Sequence, residues 1–284
     1  MIPTDRDWLL ISDRLSRWAD LSSSSVTAAD MPLANMVSSQ QPTDRCRFID
    51  LGSPIEFTVD LSAAMSAQGV TSYRCIVLAY NNSSADGTFS VFGNLGFTII
   101  DAPLWPTPDC GRFKRIHSYI YVPAGIPDTF LTISINDPNP RRPVISASGF
   151  AAADYFEIGN LLIDYGIRSD INNVVRQQGT VTEGLDEESK LIVSEGGPTF
   201  PRIRPRSSRK SFSLRFRNKQ SYRAGMAQLR RDVGVSEAVM LIEDLNGAEF
   251  AMDGMVYGLF DGLQDVSLAD DNNFEVVVKI REML

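Results

Sequence analysis

The residues best suited to chemistry are few, and their spacing argues against catalysis. His117 is the only histidine in 284 residues, which excludes on inventory a histidine-based triad and any multi-histidine metal site. It falls inside a strand-like stretch, where a lone histidine is a structural or surface residue. Cys46, Cys75 and Cys110 stand far apart, with no CxxC spacing and no companion histidines, so they read as small buried apolar residues. GxGxxG, GxxxxGK[ST] and GxSxG are absent from the sequence, which removes the commonest nucleotide and hydrolase signatures. Paired carboxylates could act on a glycan, yet Asp and Glu are scattered and no spacing nominates a pair. Asp270, Asp271, Asn272 and Asn273 read as a turn, because they lack the glycine and the closing bidentate glutamate of a calcium loop. The expectation is a protein that is not an enzyme, with no catalytic residue, no metal and no cofactor.

Charge gives a second lead. The net charge of −8 argues against a general nucleic-acid binder, since phosphate binding is driven by Lys and Arg. The stretch RIRPRSSRKSFSLRFRNK (202–219) is the exception, with eight basic side chains and no acid. Its Arg202, Arg204, Arg206, Arg209, Lys210, Arg215 and Arg217 suit either a polyanion or the acidic surface of a neighbouring subunit. An acidic patch close by, Glu183, Asp186, Glu187 and Glu188, reads as a solvated face or as that surface. Both segments are subunit-interface candidates. Trp105, in the loop DAPLWPTPDCG, is either a packed loop anchor or an aromatic platform for a sugar ring.

These residues must be positioned by elements legible in the sequence. The length suits two domains, and 43% apolar with 22% charged residues is the balance of a soluble globular chain. No run approaches the eighteen or more apolar residues of a membrane-spanning helix, and the start MIPTDRDWLLISDRLSRW shows no signal-peptide pattern. Residues 1–165 read as an antiparallel β-sandwich of the jelly-roll kind. Its strands are IEFTVDL (55–61), YRCIVLAY (73–80), TFSVFG (88–93), FKRIHSYIYV (113–122), TFLTISI (129–135) and YFEIGNLLID (155–164), set between Gly-, Pro- and Asn-rich turns.

Residues 166–194 are a polar connector with weak strands, and 195–284 an α+β unit. In SFSLRFR (211–217), Phe212, Leu214 and Phe216 share one face, the signature of a half-buried strand. Asn218 is a good helix N-cap. Tyr222, Met226, Leu229 and Val233 make one apolar stripe on a helix of about four turns, which Gly234 ends. AVMLIED (238–244), MVYGLFDGL (255–263) and FEVVVKIREML (274–284) complete a sheet, the last with Phe274, Val276, Val278 and Ile280 on one side. The fold class is therefore mainly β with an α+β C-terminal part.

Two stretches resemble known families. MPLANMVSSQQPTDRCRF, IEFTVDLSAA and CIVLAYNNSS are similar to the opening of the discoidin-like jelly roll carried by many phage tail proteins. Leu33, Asn35, Gln41, Pro42, Asp60 and Leu61 match its pattern, while Tyr80-Asn81-Asn82 stands where the pattern has His before Asn. YFEIGNLLI, SEGGPTFPRIRPRSSRKSFSLRF, LRRDVG, VMLIED and MVYGLF resemble, in order and spacing, the C-terminal portion of siphophage minor tail proteins.

The resemblance implies a ring-forming distal tail or baseplate component in the virion, made in the host cytoplasm. Its C-terminal unit would be a split barrel like that of tail-tube and distal tail proteins, which usually place the barrel first and the sandwich second; here the order is reversed. The implied partners are further copies in a ring of about six, the tail tube protein and the tail hub or tip proteins. A host-surface glycan would meet the sandwich, and DNA would pass only through the lumen. Reversing Arg215 and Arg217 to glutamate is expected to leave the monomer folded and abolish rings. The alternative is a carbohydrate-binding adhesin module of the tail tip.

Overall fold

Short strands with period-two or continuous apolar character, joined by turn-rich loops, put most of the chain into antiparallel sheets. The computed structural model describes residues 8–38, 44–84, 86–104, 116–146, 149–168, 174–176, 182–186, 190–193, 199–202, 207–243, 245, 255–262, 266–268 and 273–283. The first strand, β1 (Leu9–Ser12), is followed by the sandwich. One of its sheets has five strands in the order β2-β4-β9-β6-β7: β2 (Asp20–Ser23), β4 (Ile55–Asp60), β6 (Thr88–Gly93), β7 (Thr98–Pro103) and β9 (Phe130–Asn136). Facing it are β5 (Tyr73–Asn81), β8 (Ile116–Ile126) and β13 (Asn160–Asp164), in the order β13-β5-β8, with the short pair β3 (Cys46–Phe48) and β12 (Phe156–Ile158) beside them. A hairpin of β10 (Arg141–Ser146) and β11 (Gly149–Ala152) and two helices, α1 (Asn35–Ser38) and α2 (Ser62–Gln68), lie in the connections.

The second unit is one large antiparallel sheet. It contains β14 (Val174–Arg176), β15 (Thr182–Asp186), β18 (Ser207–Phe216), β19 (Ala238–Ile242), β20 (Met255–Phe260), β21 (Val266–Leu268) and β22 (Phe274–Glu282). The order is β1-β19-β20-β22-β18-β14, with β15 also on β18 and β21 also on β22. A separate hairpin, β16 (Lys190–Val193) with β17 (Thr199–Arg202), lies between β15 and β18 in the chain. The helical rod after Asn218 runs as α3 (Lys219–Tyr222), a π-helical segment (Arg223–Ala227) and α4 (Gln228–Val233). Asn218 caps it as expected, its side chain accepting from the Ser221 amide at 2.8 Å. Gly234 ends it at φ 60°.

Three apolar cores stack through the molecule. The first fills the sandwich with Phe48, Phe57, Phe89, Ile133 and Leu161. The third lies between the rod and the large sheet; Leu10 from one end of that sheet and Phe216 from the other share it with Met226 and Leu229, so the sheet wraps its helix as an open half-barrel. Between them lies the middle core, where Val77, Ala79 and Leu162 of the sandwich meet Leu9, Ile11, Met240 and Tyr257 of the large sheet. Strands on either side of this seam are apolar on both faces: Ile76 and Leu78 point into the first core and Cys75 and Val77 into the middle one.

Three boundaries read from the sequence change. Residues 9–12, assigned to the sandwich, pair with β19 from Leu9↔Ile242 to Ser12↔Val239, because LLI needs cover on both faces and only the large sheet supplies the second. The sandwich is thus an insertion in the large sheet. Its entry and exit adjoin, Leu10 and Ile167 exchanging amide bonds of 3.1 and 2.8 Å. The connector 166–194 contributes β14 and β15 to the large sheet. YFEIGNLLID breaks in two at Gly159, where the backbone passes so close to Tyr80 that a Cβ would lie 2.8 Å from that residue's own Cβ.

Candidate functional site

The basic segment is built around β18, which sits between β22 and the β14–β15 border. Phe212, Leu214 and Phe216 are buried in the helix-backed core, as their alternation requires. Lys210 lies on the same face and is 3% exposed; its Nζ donates to Glu243 at 2.6 Å. That ammonium is committed within the chain, so as a subunit-interface residue Lys210 is corrected. Arg209 lies 3.5 Å from Asp261, both about a third exposed, a pair worth well under ~1 kcal/mol in solvent. Arg215 stands opposite Glu275 across the β18–β22 ladder. Arg215→Glu would set carboxylate against carboxylate, so that half of the double reversal is not neutral for the fold. Arg217 is exposed immediately before the helix cap.

The acidic segment meets the basic one inside a single chain. β15 pairs with β18 with Glu183 opposite Lys210 and Asp186 opposite Ser207. The two segments were expected on opposed subunit faces; the ladder makes Glu183 and Asp186 backbone neighbours of the basic strand. Arg202 ends β17, opposite Lys190. Arg204, Arg206, Glu187, Glu188 and Trp105 lie outside the described residues.

The residues that hold the two units together were not singled out from sequence. Arg14 and Asp164, both with fully buried side chains, meet at 2.9 Å where the chain enters and leaves the sandwich. Asp164 also accepts from the Ser12 amide at 2.9 Å and the Tyr165 amide at 2.7 Å. The Arg14 guanidinium lies 4.0 Å from the Tyr165 ring centroid and donates to its hydroxyl at 2.8 Å. Burial opposes the charge on Arg14 most, but Asp164, Tyr165 and Asp232 together outweigh it and raise the guanidinium above its ordinary value. A second tie runs from Arg17 to Asp13, to Glu237 and to the Asp232 carbonyl at the end of α4.

His117 stands at the seam as a structural residue. Its Nδ1 accepts from the Tyr80 amide at 3.3 Å, and its ring packs edge-on to Tyr80 at 4.8 Å. Burial pushes its pKa down to about 4, which keeps it neutral. Tyr80 adopts φ 55°, packs edge-on to Tyr257 and donates its hydroxyl to the Met283 carbonyl, so the sandwich also grips the C-terminal end of the large sheet. Cys46 and Cys75 are buried, and burial pushes the Cys46 thiol up to about 12, which fits packing residues. Cys110 lies outside the described residues.

The class that this defines is an antiparallel β-sandwich inserted in an open, helix-backed sheet. No protein-family model matches the chain, and no curated protein matches it. Among solved structures it is similar to the family 32 carbohydrate-binding module of C. perfringens NanJ, solved in complex with galactose. The TM-score is 0.34 and the identity 13%, over 54% of this chain and 98% of that one. At that level the likeness adds nothing to the strand pairing.

Proposed function

We propose that the chain is a structural subunit of a long non-contractile phage tail, a distal tail or baseplate ring component between the tail tube and the receptor-binding hub. The observation that carries this reading is a border of the large sheet that, among the described residues, is paired along one side. Among the described residues β14 and β15 are paired along one side, by β18, and the β16–β17 hairpin follows directly from that border. An unpaired strand edge is a template for a further chain. A subunit that offers such a border in one place and something complementary in another makes heterologous contacts, which close into a ring when the rotation allows.

Rigidity supports the same role. The sandwich is joined to the half-barrel by two adjacent crossings, a buried ion pair and a continuous apolar seam. Such a body transmits load without a hinge. The similarity of residues 155–260 to siphophage minor tail proteins supplies the biological setting.

Light scattering on the full chain across a concentration series, followed by negative-stain electron microscopy, tests the proposal. Closed rings of about six copies are expected for a heterologous assembly. A monomer at every concentration overturns it.

A further inference from the structure

At the seam between the two units an imidazole holds a strained residue, and that residue holds the end of the large sheet. Tyr80 sits where the β5–β8 ladder shifts register between Leu78 and Asn81. Its φ of 55° is a left-handed conformation, strained for a bulky side chain and kept only where the surroundings impose it. Two features do so. The Tyr80 amide donates to His117 Nδ1 at 3.3 Å, and the backbone passing closest is Gly159, where a Cβ would collide with Tyr80. So placed, the Tyr80 ring stands edge-on to His117 at 4.8 Å and to Tyr257 at 5.2 Å, and its hydroxyl donates to the Met283 carbonyl. The Met283 amide in turn donates to the Tyr257 carbonyl at 3.1 Å, and Met283 packs on the middle core. The end of β22 is thereby tied to the sandwich through Tyr80.

This bonding fixes the tautomer and so the place of the next proton. A neutral imidazole whose Nδ1 accepts carries its hydrogen on Nε2, which leaves Nδ1 as the atom that a second proton must take. Once protonated, Nδ1 is a donor facing the Tyr80 amide, another donor. His117 and Tyr80 are 7% and 5% exposed, so water does not replace the lost acceptor, and a buried unpaired amide and a buried imidazolium are both costly. The titratable groups around the ring supply no counter-charge. Tyr80 on β5 and Tyr257 on β20 are phenols that burial raises further, with Glu282 of β22 acting on Tyr80 and Asp13 acting on Tyr257. Tyr119, two residues along β8, turns its hydroxyl to the Leu245 carbonyl at 3.3 Å. The shift of the imidazole itself comes from burial.

We propose that His117 is a proton-operated latch: neutral, it fixes Tyr80 and through it the end of β22; protonated, it lets Tyr80 leave its left-handed conformation and frees residues 281–283 from β20. The Arg14–Asp164 pair and the Leu10–Ile167 crossing keep the two units joined elsewhere. The latch lies within one chain and does not depend on assembly. The released imidazole, with an ordinary pKa of 6.5 against about 4 when latched, binds more protons, so acid favours release. The latch is therefore at full strength above about pH 6.5, weakens about tenfold per pH unit below it, and loses about 300-fold in all as pH falls through 4.

Two measurements on the full chain between about pH 7 and 3.5 test the latch. His117 is the chain's one histidine, so its imidazole proton resonances are a single set whose titration follows it directly. Hydrogen exchange read by mass spectrometry, corrected for the intrinsic rate at each pH, follows the peptide that spans β22. The expected result is a loss of protection of at least about tenfold at the end of β22, in step with the imidazole titration, while the interior strands β4 and β19 stay protected. Tyr80→Phe removes the hydroxyl and keeps the amide, and is expected to weaken that protection already at neutral pH. His117→Asn offers a carbonyl oxygen that accepts but does not titrate, and is expected to keep the protection throughout; should this variant not fold, the unsubstituted chain and Tyr80→Phe decide. Protection of β22 that holds across the range overturns the latch. So does the same loss in His117→Asn, native exchange in Tyr80→Phe, or loss at β4 and β19 together with β22, which is unfolding of the whole chain.

Discussion

Asp164→Asn tests whether the two units are held by the buried pair at their junction. The substitution keeps the size of the side chain and removes its charge. In the native chain both carboxylate oxygens are committed, taking Arg14 Nε at 3.1 and 3.2 Å, Arg14 Nη2 at 2.9 and 3.0 Å, and the Ser12 and Tyr165 amides. Arg14 is 1% exposed and Asp164 0%, so a guanidinium stripped of its partner gains almost nothing from water. Breaking such a pair from one side costs about 3–5 kcal/mol. With ~2–4 °C per kcal/mol for a chain near this size, the melting temperature should fall by about 6–20 °C. Because the pair sits where the chain enters and leaves the sandwich, the loss should also uncouple the units, and calorimetry should show two transitions in place of one. Asp164→Leu combined with Arg14→Met, which removes both charges, should recover most of the loss. A shift under about 2 °C for Asp164→Asn, with a single transition, would refute the view that this pair clasps the insertion.

The other expectations follow from the same structure. Glu243→Gln leaves the Lys210 ammonium buried without the Glu243 carboxylate and should cost about 2–3 kcal/mol, toward or below the low end for a buried pair because Glu243 is 23% exposed; urea unfolding measures it, and Asp261→Ala, which removes only the partly exposed contact with Arg209, is the control at under ~1 kcal/mol. Asn218→Ala removes the cap of the helical rod and should cost about 1 kcal/mol, read as a small drop in the urea midpoint. His117 should make stability depend on pH: its folded pKa of about 4 lies below the ordinary 6.5, so the folded state binds fewer protons, stability is full above about pH 6.5 and falls as pH drops toward 4, by about 3 kcal/mol in all. Melting curves of the unsubstituted chain and His117→Gln between pH 4 and 7 check this, and equal slopes would remove His117 as the cause.

Sequence reading and structure agree where a strand has one buried face. SFSLRFR carries its answer in its alternation, and Phe212, Leu214 and Phe216 are in the core as read; the Asn218 cap and the Met226, Leu229 and Val233 stripe are equally local signals. The π-helical turn within that stripe was not legible, since its i and i+4 apolar spacing is the same as that of an α-helix. What stayed hidden is the seam. LLI at 9–11, IVLA at 76–79, NLLI at 160–163 and AVMLI at 238–242 are continuous apolar runs, and such runs say that a strand is covered on both faces without saying by what. Their partners are far apart in the chain, so no local pattern links them. The Arg14–Asp164 pair was invisible for the same reason, its members being 150 residues apart. The acidic and basic segments lie close in sequence, and their strands β15 and β18 pair in one ladder, a register that their charge pattern did not announce.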